Sequence, residues 1–135
     1  MSKGISETAF KISEADIKRA VEDYLQYAEN QGRLIFFRLN AGDFIEVRGG
    51  TRRRIKGSPK GTADYLVLQG GNVQAQYLGQ LKGEPHPICF VIFIEVKSTT
   101  GKQQPDQKTF EFKVKEHNCR YHIIRSIEEI ERILK

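Results

Sequence analysis

One segment constrains the fold of this 135-residue chain more than any other. Residues 88–96, Ile-Cys-Phe-Val-Ile-Phe-Ile-Glu-Val, form the most apolar run of the sequence. An almost continuous apolar run of this length is typical of a strand that is buried on both faces in the middle of a sheet. Because such a strand needs a cover on each side, the sequence predicts a central sheet with helices packed on its faces.

Three helices are indicated around this strand. Ser13 is a good N-cap for the first helix, and Gly32 is expected to end it. Pro105 suits the first turn of a second helix, which should run to about His117, and Ser126 caps a third. The first helix has an apolar stripe at the helical period, made of Ile17, Ala20, Val21, Tyr24, Leu25 and Ala28.

The other apolar segments are predicted as strands. Gly49-Gly50 indicates a tight hairpin turn, since glycine supplies the positive φ that such a turn needs, and Gly70-Gly71 predicts a second turn. We interpret residues 72–87 as a strand up to Leu81 followed by a loop. The remaining strands are expected at residues 34–39, 44–48, 51–55, 65–68, 88–96 and 121–124.

The predicted order of elements is α-β-β-β-β-(β)-β-α-β-α, where the bracket marks the strand before Leu81. This order favours a mixed α/β (α+β) fold, with a central mixed sheet flanked by helices, in a single domain over residues 1–135. We expect a cytoplasmic protein with no signal or membrane-spanning segment, in which Cys89 and Cys119 are free buried thiols.

The charge of the chain is unevenly distributed. Lys and Arg number 22 against 17 Asp and Glu, a net charge of +5. An uninterrupted basic cluster can hold the phosphates of a nucleic acid, although a solvated loop is an equally good interpretation of charge alone. The predicted DNA-binding residues of this cluster are Arg48, Arg52, Arg53, Arg54, Lys56 and Lys60.

Three charged residues suggest chemistry. Glu95 and Lys97 end the most apolar strand and, being two residues apart, point to the same face, where a plain ion pair is one interpretation. Asp64 stands at the start of another strand. If the two strands are neighbours, the carboxylates repel each other unless a cation lies between them, as when Mg²⁺ is held with water and substrate phosphate. Lys97 could then orient water and stabilise charge on a phosphate.

At these residues the chain resembles a known superfamily. Gly61-Thr62-Ala63-Asp64 followed by residues 93–97, Phe-Ile-Glu-Val-Lys, is similar to the motif of the PD-(D/E)XK nucleases. Residues 101–107, Gly-Lys-Gln-Gln-Pro-Asp-Gln, resemble the VRR-NUC family, the virus-type replication-repair nucleases. The resemblance covers nearly the whole chain. It departs from the family at Ala63, where proline is usual, and over residues 72–87, which are longer than usual.

The resemblance implies a restriction-endonuclease-like core and a set of site residues. Asp64, Glu95 and the Val96 backbone carbonyl would bind Mg²⁺ or Mn²⁺, and Lys97 would be catalytic. Gln107 shares the core-facing side of its helix, where holding Lys97 or a water would suit it.

The family also carries a glutamate on the first helix, for which Glu14 and Glu22 are candidates. At about 100° per residue, Glu14 lies roughly 50° from the centre of the apolar stripe and Glu22 roughly 130°. We therefore expect Glu14 at the site, as a catalytic residue or a metal ligand through water, and Glu22 in solvent. The alternative for Glu14 is simple stabilisation of the helix dipole.

The sequence thus predicts a metal-dependent DNA endonuclease. The resemblance implies structure-selective cleavage of branched or duplex DNA, such as four-way junctions, often by a homodimer, with no organic cofactor and no membrane partner. One alternative is a non-catalytic nucleic-acid-binding module. Another is a nuclease subunit that is active only with a replication or repair partner.

Overall fold

The computed structural model describes residues 12–77 and 80–135 of the chain. In these residues the order is α-β-β-β-β-β-α-β-α, and the bracketed strand of the predicted order is not a separate element, because two long strands take up its residues and those of the predicted loop. They are α1 (Glu14–Asn30), β1 (Ile35–Arg38), β2 (Asp43–Arg48), β3 (Thr51–Lys56), β4 (Tyr65–Tyr77), β5 (Gln80–Val96), α2 (Pro105–Glu116), β6 (Arg120–Ile124) and α3 (Ile127–Ile133).

Four strands form one mixed sheet in the order β1-β4-β5-β6. β4 is antiparallel to both β1 and β5, whereas β5 and β6 are parallel. A parallel pair needs a crossover connection, and α2 supplies it between β5 and β6. The prediction of a mixed sheet with helices is confirmed, and β5 lies inside the sheet as expected.

The two faces of β5 have different covers. Ile92, Ile94 and Val96 point to one face and are at most 1% exposed, because α1 and α3 pack there. Phe93 points to the opposite face and packs against Phe110 of α2. Burial on both faces is therefore confirmed only for the C-terminal half of the strand.

The ends of the helices follow local capping chemistry. Ser13 Oγ accepts a hydrogen bond from Asp16 N at 3.1 Å, so the predicted cap of α1 is confirmed. Ser126 Oγ accepts from Glu129 N at 3.3 Å at the start of α3. At the start of α2 the backbone N–H of Gln104, the N-cap residue, donates to Gln107 Oε1 at 2.8 Å, a bond that the sequence did not single out.

The predicted turn at Gly70-Gly71 is wrong. β4 continues through both glycines to Tyr77, and β5 begins at Gln80, so the predicted loop before residue 88 is also strand. β1 pairs with β4 only as far as Leu68 and β6 pairs with β5 only from Ile92, so among the described residues the ribbon beyond them has no partner on its outer edges. Gly70, Gly71 and Pro87 are tolerated at such an edge, where the N–H that proline lacks is not needed for pairing.

The two cysteines are less buried than predicted. Cys89 lies in this ribbon and is exposed, and Cys119 is partly exposed.

The β2–β3 hairpin forms a separate two-stranded sheet. Gly49 and Gly50 have φ values of 55° and 83°, as the predicted turn requires. The base of the hairpin is joined by a bridge between Ala41 and Ser58. No helix in the described part of the chain is both long enough and apolar enough to cross a membrane.

Candidate active site

Asp64 and Glu95 lie opposite each other on neighbouring strands. The β4–β5 register pairs Tyr65 with Ile94, so the residue before Tyr65 faces the residue after Ile94. Residues that face each other across an antiparallel pair point to the same side of the sheet. The condition set out from the sequence, that the Asp64 and Glu95 strands are neighbours, is therefore met.

The Asp64 carboxylate is held at both oxygens. Its Oδ2 accepts a hydrogen bond from the Val96 backbone N–H at 2.8 Å, which fixes the carboxylate against the end of β5. Its Oδ1 accepts from Lys18 Nζ at 3.0 Å. The side chain is 19% exposed, so solvent and small ligands still reach it.

Lys18 is a site residue that the sequence analysis missed. Burial lowers the pKa of Lys18, but the hydrogen bond to Asp64 and the charge of Asp64 outweigh it, so the pKa lies above its ordinary value. A signal existed, because Glu14, Lys18 and Glu22 form a row with four-residue spacing along one flank of α1. The Lys18 ammonium therefore offsets the negative charge of Asp64, which a bound metal ion would otherwise offset.

Glu95 is the only Asp or Glu that is buried among the described residues. It is only 4% exposed, its Oε1 accepts from Gln107 Nε2 at 2.9 Å, and its Oε2 is buried with no hydrogen-bond partner among the described residues. Burial and then the charge of Asp64 raise its pKa from an ordinary 4.5 to about 7, although Lys97 and Lys18 oppose the rise. A buried carboxylate oxygen without a partner is costly unless a ligand reaches it.

Gln107 fixes the position of the Glu95 side chain. It lies in the first turn of α2, and its Oε1 accepts from the Gln104 backbone N–H at 2.8 Å while its Nε2 donates to Glu95. With both ends of the amide engaged, the side chain has one preferred orientation. The expectation that it faces the site is confirmed, but its contact is Glu95 and not Lys97.

Lys97 stands beside Glu95 on the same face of the sheet. Its Nζ is 3.8 Å from Glu95 Oε1, and the residue is 9% exposed. Its backbone N–H donates to Ile124 O at 3.0 Å, which continues the β5–β6 pairing past the end of β5. The buried ammonium of Lys97 therefore lies next to the Glu95 carboxylate.

Of the two candidate glutamates on α1, Glu14 lies exposed at the start of the helix, whereas Glu22 lies against the sheet and not in solvent as predicted. Glu14 is exposed at the first residue of α1, yet it acts on the site. The pKa of Glu95, raised first by burial and then by Asp64, is raised further by the charge of Glu14. Glu22 does not face solvent, because it accepts from Tyr65 Oη at 2.9 Å and pairs with Arg38 Nε at 2.9 Å. Arg38 of β1 and Tyr65 of β4 therefore lie beside this flank of α1, a contact with the sheet that a helical wheel alone does not include.

The basic cluster is divided by the hairpin. Paired residues share a face, so Arg52 and Arg54 lie on one face with Val47 and Ile45, and Arg53 lies on the other with Glu46. Arg54 forms an ion pair with Asp43. The exposed remainder includes Arg48, Arg52, Arg53 and Lys56.

Lys60 is the member of the cluster that reaches the candidate site. It lines an open cleft of about 600 Å³ together with Asp64, Glu95, Gln107 and Thr62. Its Nζ lies 4.0 Å from the carboxylate of Asp106, which lines the same cleft. The structure therefore brings one predicted phosphate-binding lysine to the carboxylates.

The chemistry of the donors suits a hard divalent cation. Within residues 12–77 and 80–135, no group of three or more His, Cys, Asp or Glu side chains could hold a metal ion by itself. Two carboxylates completed by water and substrate oxygens are, however, a usual site for Mg²⁺. The unpartnered Glu95 Oε2 supplies a free ligand atom beside Asp64, so the residues fit such an ion.

The comparisons with known proteins identify no relatives: no family model matches the chain, and neither curated proteins nor solved structures show significant similarity to it.

Proposed function

We propose that this chain is a Mg²⁺- or Mn²⁺-dependent endonuclease that hydrolyses phosphodiester bonds in DNA. The observation that carries the proposal is the buried Glu95 Oε2 without a partner, opposite Asp64 and beside the buried Lys97. A structural ion pair would satisfy both oxygens of a buried carboxylate. A carboxylate that must bind something else keeps one oxygen available.

The residues have separable tasks in this proposal. The divalent ion would be held by Asp64, Glu95 and the Val96 carbonyl. When bound, it would act as a Lewis acid on a phosphate oxygen and lower the pKa of bound water. Hydrolysis forms a bond from water oxygen to phosphorus and breaks one phosphorus–oxygen ester bond. Lys97 Nζ donates hydrogen bonds to the attacking water or to a phosphate oxygen as negative charge grows there.

Two further residues position this set. Gln107 holds Glu95 Oε1, and so leaves Oε2 without a hydrogen-bond partner among the described residues. Glu14 adds negative charge near Glu95 and would bind the ion through water. Such outer partners typically contribute about 10- to 100-fold to metal affinity or activity.

The same residues support a more specific proposal. We propose a restriction-endonuclease-like core of the PD-(D/E)XK superfamily, of VRR-NUC type, that cuts branched DNA as a homodimer. A two-fold junction needs two active sites related by the same symmetry, which favours the dimer. The basic hairpin would hold backbone phosphates without reading sequence.

A panel of DNA substrates tests the proposal. Linear, flapped and four-way-junction DNA of matched length are incubated with wild-type protein and Lys97→Ala in Mn²⁺, and binding is measured in parallel with Ca²⁺. We expect metal-dependent cutting by the wild type, strongest on branched DNA, with Lys97→Ala binding but not cutting. Binding without cutting by either protein would instead identify a nucleic-acid-binding module.

A further inference from the structure

A second cleft adjoins the candidate active site. It has a volume of about 490 Å³ and shares Lys60, Thr62 and Asp106 with the first cleft, so these residues form the partition between the two. Gly61 keeps the partition in place, because a Cβ there would lie 2.5 Å from Asp106 O and φ is +93°. The loop before β4 can pack this closely against α2 only with glycine at this position.

The floor of this second cleft is aromatic. Phe93 lies two residues before Glu95 on the same face of β5, about 7 Å away at the rise of a strand. Phe110 lies three residues after Gln107, one turn along the same side of α2. The two rings pack edge to face with centroids 5.1 Å apart, and both are partly exposed. The Phe93–Phe110 pair therefore joins β5 and α2 in the same way as the Glu95–Gln107 pair, two residues earlier on β5 and three residues later on α2.

The rim of the second cleft is polar and basic. Lys60 and Lys113 line it; Lys60 lies 4.0 Å from the Asp106 carboxylate, which also lines the cleft, and Lys113 forms no ion pair within the described residues. Thr62 Oγ1 donates to Pro59 O and Thr109 Oγ1 donates to Pro105 O, so both hydroxyl oxygens stay available as acceptors. An aromatic floor with cations at the rim suits a base that stacks while its phosphate meets an ammonium.

We propose that this second cleft, the base cleft, receives one unpaired nucleobase next to the phosphate that lies at Asp64 and Glu95. The inference rests on the proposed nuclease function and names its substrate class as DNA with an unpaired nucleotide beside the cut. A base inside a duplex is stacked and paired, and cannot reach an aromatic floor without leaving the helix. Flaps and branch points supply such a base at little cost.

An abasic scan tests the base cleft. Junction DNA carries a single abasic site at each successive position around the branch point, and affinity is measured with Ca²⁺ in place of Mg²⁺. Loss of a stacked base lowers affinity by roughly 5- to 150-fold, which is the usual range of base–aromatic stacking. We expect one position, or one position per strand arm, to show this loss, and the others to show none.

Two leucine variants identify the surface that is responsible. Phe110→Leu removes the ring but keeps apolar volume, and it should bind intact and abasic DNA almost equally. Phe112→Leu is the matched control, because Phe112 lies on the same helix and is 65% exposed outside the cleft. It should retain the wild-type profile, and circular dichroism checks that both variants are folded.

The outcomes separate this inference from the proposed function. A flat abasic profile for a protein that binds and cuts junctions would overturn the base cleft and leave the nuclease intact. A position-specific loss that persists unchanged in folded Phe110→Leu would also overturn it. Absence of any DNA binding would instead reject the nuclease proposal, and the base cleft with it.

Discussion

Replacing Glu95 with glutamine should stabilise the metal-free protein at neutral and alkaline pH. Glutamine keeps the shape of the side chain and an oxygen that accepts from Gln107, and it removes the buried negative charge. It therefore imitates the protonated state of Glu95. The raised pKa of about 7 already includes the attraction of Lys97 and Lys18, so the net balance still favours the neutral form.

The magnitude follows from proton linkage. Burial and the charge of Asp64 raise the pKa of Glu95 from 4.5 to about 7, so between these pH values the folded state holds a proton that the unfolded state releases. The free energy of unfolding must then fall as pH rises through this window. The loss is on the order of 3 kcal/mol at 1.36 kcal/mol per pKa unit. Glu95→Gln lacks this loss.

Urea denaturation in EDTA at several pH values from about 5 to about 8 measures the effect, because this range covers most of the interval between the two pKa values of Glu95. The wild-type free energy of unfolding should decline relative to that of Glu95→Gln as pH rises. Glu116→Gln is the control, since Glu116 is exposed at the end of α2 and should leave the wild-type slope unchanged.

Metal ions should reverse the ranking. Mg²⁺ that binds only the folded wild type stabilises it by mass action, whereas Glu95→Gln gains little. Parallel wild-type and Glu95→Gln curves in EDTA, or a Glu95→Gln protein less stable than wild type at pH 8, would refute the reasoning from burial.

Three further predictions concern the other site residues. Lys97→Ala should lower cleavage by roughly 100- to 1000-fold with little change in DNA affinity, and Lys97→Arg should not restore it, because a planar guanidinium cannot replace a compact ammonium; wild-type rates would make the lysine structural only. Glu14→Gln should reduce cleavage by roughly 10- to 100-fold at unchanged fold, whereas Glu22→Gln should mainly lower the melting temperature; the reverse pattern would exchange their roles. Changing the arginines at 52–54 together to alanine should weaken binding to all DNA sequences and flatten its log–log salt dependence by about one unit per lost phosphate contact, and equal slopes would contradict phosphate binding.

Much of the site could be predicted because its residues break local rules. Glu95 and Lys97 are charges at the end of the most apolar strand, and Asp64 stands where another strand begins. Strand alternation alone places Glu95 and Lys97 on one face. The helices and the β2–β3 hairpin were also predictable, since their caps and glycine turn are local signals.

The rest depended on contacts between elements that are distant in the sequence; the four-residue row of Glu14, Lys18 and Glu22 draws attention to Lys18 but does not give its partner. Lys18 reaches Asp64 across 46 residues of sequence, and the partner of Gln107 is set by how α2 packs on the sheet. Glu22 was misplaced because the edge of the sheet, and not solvent, lies beside that flank of α1. Gly70 and Pro87 suggested a turn and a loop because both residue types are common there. They lie in strands instead, where β4 and β5 have no further described partner, and local sequence does not show where β1 and β6 stop pairing.

The central claim is that Asp64 and Glu95 together hold the divalent ion on which cleavage depends. The most direct measurement is junction cleavage by EDTA-treated protein as Mg²⁺ or Mn²⁺ is added back, for wild type, Asp64→Asn and Glu95→Gln. We predict no cleavage in EDTA, full recovery by the wild type in either metal, and no recovery by either variant at any concentration that supports the wild type. Undiminished cutting in EDTA, or wild-type recovery by both variants, would contradict the account.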